Sequence, residues 1–115
     1  MAEAIFRHGD PIMMDHTAAA DVAAGEVVII GNLAGLCCGV AHLAIANTAA
    51  GALAAGGGIY DVVATSNYAA GSKVYWDNST NKVTTTSTNN ALFGFTVEAA
   101  AAANAVIEVL HMPYV

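Results

Sequence analysis

Val27-Val28-Ile29-Ile30 is an unbroken run of β-branched residues. Two heavy atoms on each Cβ restrict χ1 against the preceding turn of a helix, yet pack well on a pleated surface. Gly25-Glu26 precedes the run and Gly31-Asn32 follows it, so a turn is expected on each side and a buried strand between. The pattern recurs. Ala23-Ala24-Gly25-Glu26-Val27-Val28 is echoed by Ala69-Ala70-Gly71-Ser72-Lys73-Val74-Tyr75-Trp76, in which a small-residue turn again feeds a β run. Val74 to Thr86 reads as a hairpin, two β-rich runs flanking the turn formers Asp77-Asn78-Ser79-Thr80-Asn81.

The rest of the chain follows the same logic. Ile5-Phe6 and Ile12-Met13-Met14 flank the turn signal Gly9-Asp10-Pro11, giving an arm or strand, a turn and a second short strand. Leu33 to Ile45 reads as one or two strands broken near Gly35 and Gly39. Asn47 to Gly58 has enough alanine for a helix, but Gly51 and Gly56-Gly57-Gly58 favour a loop or an irregular strand. Ile59 to Val63, Ala91 to Val97 and Ala105 to His111 read as strands, with Ala99 to Ala103 a small-residue connection. The sum is seven to nine short strands punctuated by Gly, Asn and Asp. This is an all-β chain, a small β-barrel or β-sandwich, with an N-terminal arm over 1–16 and a single β domain over 17–115. At 115 residues there is no room for a second domain.

Val27 to Ala46 is uncharged, and its Gly31, Gly35 and Gly39 have the spacing of a membrane-helix packing face. Asn32, His42 and the shortage of flanking Lys or Arg argue against a span. MAEAIFRHGD lacks the cationic start and apolar run of a signal peptide. With 3 Lys+Arg against 9 Asp+Glu and a net charge of -6, the chain has few cations to displace counterions from phosphates, so nucleic acid is excluded as a partner. Charged residues make up 10% of the chain and hydrophobic ones 57%, much of the latter alanine, which buries little surface. Few charges and few large apolar side chains point to self-association or to docking on a larger body. Cys37 and Cys38 are adjacent, where a disulfide would be strained, and they read as two small buried hydrophobes.

Motifs for chemistry are missing. No phosphate-cradling GxxxxGK[ST], GxGxxG or GxSxG occurs, and Gly56-Gly57-Gly58 lacks the lysine that would follow. His8, His16, His42 and His111 fit no metal spacing, so no metal or other cofactor is expected. His8 with Asp10, and Asp15 with His16, read as a solvated polar arm; His42 reads as a core or interface histidine. Glu98 and Glu108 are weak evidence for acid–base work without a cleft. An enzyme would need a pocket joining His42 or His111 to Glu98 or Glu108. Tyr75 and Trp76 read as core or subunit-contact anchors, since base stacking has no electrostatic support at this net charge.

In order and spacing, several pieces resemble the DUF2190 family of phage capsid cement or decoration proteins. They are Gly9-Asp10-Pro11-Ile12, Ala24 to Val28, Asn32-Leu33-Ala34-Gly35, Gly71 to Asp77 followed by Lys82 to Thr86, Phe93-Gly94-Phe95, and Val106 to Val109. Cys37-Cys38 and the triple glycine depart from the family pattern. The resemblance implies a small β-barrel-like domain that sits, commonly as a trimer, on the outer face of a phage head. The family has also carried a recombinase label, which the missing P-loop contradicts. The expected function is therefore a non-enzymatic cement protein of the virion surface, present in the host cytoplasm before assembly. Its expected partners are the major capsid protein and itself, with no membrane. Ile5, Phe6, Pro11 and Ile12 are the expected shell or neighbour contacts. The alternative is a virion-surface module for a host glycan or cell surface, which would require Tyr75 and Trp76 to be exposed.

Overall fold

The computed structural model describes residues 3–30, 37–88 and 90–113. The turn expected at Gly31-Asn32, and the Asn32-Leu33-Ala34-Gly35 piece, lie outside them. Ten strands and no helix occur among the described residues: β1 (Ile5–Gly9), β2 (Met13–Thr17), β3 (Val27–Ile30), β4 (Cys37–Ala41), β5 (Ala50–Ala54), β6 (Gly58–Val63), β7 (Lys73–Asp77), β8 (Lys82–Thr84), β9 (Ala91–Thr96) and β10 (Val106–His111). That exceeds the expected seven to nine because the alanine-rich 50–54 stretch pairs as a full strand. Of the strand expected over Ala105 to His111, Val106–His111 forms, and Ala99 to Ala103 is a connection.

The strands make two mainly antiparallel layers. One runs β3-β4-β5-β2, the other β1-β6-β10-β9-β7-β8. They join where β4 runs parallel to β9, Cys37 opposite Leu92. Of the two architectures open from sequence, the structure is the sandwich; the layers do not close into a barrel.

The echo seen in the sequence is a structural duplication. β2, β3, β4 and β5 pair among themselves as β6, β7, β9 and β10 do, with β8 an added hairpin strand in the second half. Both halves carry the same tie between connecting segments: Val22 bridges Ile45, and Tyr68 bridges Ala100. The Gly25 N–H donates to Ala41 at 2.6 Å, and Gly71 to Thr96 at 2.7 Å. Both glycines hold a left-handed φ, 82° and 81°, which is why glycine stands in each turn. Thr48 (φ 67°) and Asn104 (φ 66°) also correspond, their N–H groups donating to Ala18 and Ala64.

Burial explains the β-branched run. The main core holds Trp76, Tyr60, Phe93, Val62, Val74 and Val109 with Val27 and Val40, and Ile29 packs against it. Val28 and Ile30 face the other way, onto a second cluster of Ala18, Val22, Ala41, Ile45 and Leu53. A strand with apolar partners on both faces needs a continuous apolar sequence rather than an alternating one.

The N-terminal strands hold the two halves along one line. β2 pairs with β5, from Thr17 opposite Ala50 to Met13 opposite Ala54. Ile12 continues the ladder, donating to Gly56 at 2.8 Å and accepting from Ala55 at 2.7 Å. β1 then pairs with β6, from Gly9 opposite Gly58 to Ile5 opposite Asp61.

Candidate interaction surface on the N-terminal arm

Alternation along a strand sends every second side chain to one face. In β6 this puts Tyr60 and Val62 in the core, with Ile59, Asp61 and Val63 half-buried on the opposite face. β1 lies on β6 but is exposed throughout, and β2 nearly so. Ile5, Phe6, Ile12, Met13 and Met14 are all large apolar residues at least 36% exposed, and all lie within this short segment. The expected contact residues Ile5, Phe6 and Ile12 therefore stand on one open stretch of chain. Pro11 is half-buried beside them, in the link between β1 and β2.

A shallow groove of about 370 Å³ opens beside β1, walled by Ile5, Phe6, Ala24, Ala41 and His42. The Phe6 ring sits 4.9 Å from His42 and 5.6 Å from Tyr60. Tyr60 is fully buried, and its hydroxyl lies 2.7 Å from His42 Nε2. Burial pushes the tyrosine hydroxyl's pKa well up and lowers that of His42, so both favour their neutral forms. The side chains lining the groove are mainly apolar. Charge is found at the bulge between Phe6 and His8, where half-exposed Arg7 reaches Asp61 at 3.6 Å.

His111 lies deeper, with Tyr60 and Phe93 against it. Its Nε2 is 2.7 Å from the Cys38 carbonyl, and burial drives its pKa down to about 4 in spite of that bond. Cys38 is fully buried, as expected; the Cys37 side chain lies outside the described set. Trp76 is fully buried against Phe93, and its indole N–H donates to Asn78 at 3.2 Å. Tyr75 is half-buried. The two rings do not form an open stacking pair, because neighbouring residues on a strand point to opposite faces.

A second hollow, about 480 Å³, is polar, lined by Asp77, Ser79, Thr84, Thr86 and Asn90 among others. Ser79 donates to Asp77 through both its hydroxyl and its N–H, which lowers the carboxyl's pKa. Neither hollow brings His42 or His111 together with Glu98 or Glu108. Glu98 instead accepts the Glu108 N–H at 3.1 Å. Among the described residues no group of three or more His, Cys, Asp or Glu gathers as a metal site, and no helix is long and apolar enough to cross a membrane. Sequence reasoning missed the Phe6–His42–Tyr60 cluster, whose members come from three distant segments and share no local pattern.

Compared with known proteins, residues 6–111 match a family described as phage cement protein. No curated protein and no solved structure matches the chain.

Proposed function

The chain belongs to the phage cement protein family, and on that footing we propose that it binds the outside of the assembled head and stabilises the major capsid protein shell, as a trimer. The observation that carries this reading is the span of the match, which takes in both duplicated halves and most of the arm. The mechanism is linkage. A protein that binds the assembled shell, and not its dissociated subunits, shifts the equilibrium toward the shell. A trimer presents the same weak contact three times, so the second and third form at high effective concentration. Ile5, Phe6, Pro11 and Ile12 supply the contact to shell or neighbour. Trp76, and Tyr75 in part, serve as packing anchors. No chemical step is required.

The test compares heads with and without the chain, by cryo-electron microscopy and by the temperature at which packaged DNA escapes. Added density on the outer surface and a higher release temperature are expected. Equal release temperatures would remove the cementing role even where the chain binds. Open Tyr75 and Trp76 rings were the requirement of a glycan-binding module, and Trp76 has no exposed surface.

A further inference from the structure

The two halves differ at two edges: β8 covers β7 where its counterpart β3 is, among the described residues, paired by β4 alone, and a second difference lies at β6 and β2. In the second half, β6 is paired on both sides, by β10 and by β1. Its counterpart in the first half, β2, is paired on one side by β5 and ends the sheet. Among the described residues no strand lies on its outer edge. Ile12 and Ala18 turn their backbone groups to the β5 side, so by alternation Met13, Asp15 and Thr17 direct N–H and C=O outward. An unpaired edge bearing large apolar side chains is a template for another strand. At the opposite end of the sheet, β1 has an outer edge of its own, with Ile5 and Phe6 open beside it.

Charge favours one occupant. Asp15 on β2 corresponds in the duplication to Asp61 on β6, and Asp61 is the carboxylate that Arg7 of β1 reaches. The chain has only 3 Lys+Arg, and of these Arg7 alone lies on β1.

We propose that the outer edge of β2 is a strand-addition site for a second copy of this chain, filled by the outer edge of that copy's β1, which sets the partner's Arg7 beside Asp15. The added strand runs antiparallel, as β1 does on β6. The partner's Arg7 keeps its own Asp61 and gains a second carboxylate. Ile5 and Phe6 of one copy cover Met13 and Met14 of the next. Each copy offers one β1 edge and one β2 edge, so the contact is head-to-tail; the trimer proposed above requires that its rotation close into a three-membered ring rather than an open filament. This deepens the self-association half of the function proposed above and rests on it.

The test uses the full chain. Light scattering after size exclusion should show an oligomer. Met13→Pro removes an outward N–H without breaking the pairing to β5, and should weaken association at least about tenfold. Asp15→Asn should weaken it less and reduce its salt dependence. Independently of either variant, a photo-crosslinking residue in place of Met13, in mixtures of light and heavy isotope-labelled chain, should capture residues 5–9 of a different copy. Capture of another copy's β2, of a shell subunit, or of no second chain would overturn the proposal. So would a wild-type monomer at the highest soluble concentration. If the β1–β2 crosslink forms but the oligomer does not bind heads, the cement reading fails and the interface stands. If heads are bound without that crosslink, the interface fails alone.

Discussion

His111 is held uncharged by its surroundings. Its folded pKa of about 4 lies below the ordinary 6.5, so the unfolded chain takes up a proton more readily than the native one. The stability this supplies is fully present above pH 6.5, drains as pH falls, and is gone below about 4. Over that window unfolding free energy should drop by roughly 3 kcal/mol, measured by urea denaturation at a series of pH values. His111→Gln, which can still donate to the Cys38 carbonyl, should flatten the slope between pH 6.5 and 4. Sequence placed His111 at the end of a strand but did not reveal its burial. That depends on Tyr60 and Phe93 meeting it from β6 and β9, a fact of pairing between distant segments.

Among elements, the duplication exposes a mismatch. Thr48 and Asn104 occupy equivalent left-handed positions, but asparagine tolerates that backbone and β-branched threonine does not. Thr48→Asn should therefore raise stability by up to about 1 kcal/mol, read as a higher denaturation midpoint with an unchanged m-value. The echo was legible at Gly25 and Gly71 because a turn needing positive φ leaves glycine behind. At Thr48 and Asn104 it was not, since different residues fill the same conformation. The β7–β8 hairpin was legible from its Asp-Asn-Ser turn. The partners of β1 and β2 were not, because nothing local in Ile5 to Thr17 marks which remote strands receive them.

At the level of the whole molecule, the core is small, and five of the eight exposed large apolar residues among the described ones lie on β1, β2 and the link between them. A low-charge chain with few large side chains led to the expectation of docking or self-association, and the family match supplies the capsid shell as the larger body. If copies associate through the arm, mass action ties native stability to concentration. The melting temperature followed by circular dichroism should rise with protein concentration, and in Met13→Pro it should rise less over the same range. A wild-type melting temperature independent of concentration would count against self-association in solution.

The arm's line of pairing also sets an order of events during synthesis. Residues 5–17 leave the ribosome before 50–61, the stretch that both β1 and β2 require. At bacterial elongation rates that leaves Ile5, Phe6, Met13 and Met14 without their sheet for roughly 2–10 s. The nascent chain thus carries an open apolar ribbon, a natural hold for a chaperone, until translation delivers the strands that receive it.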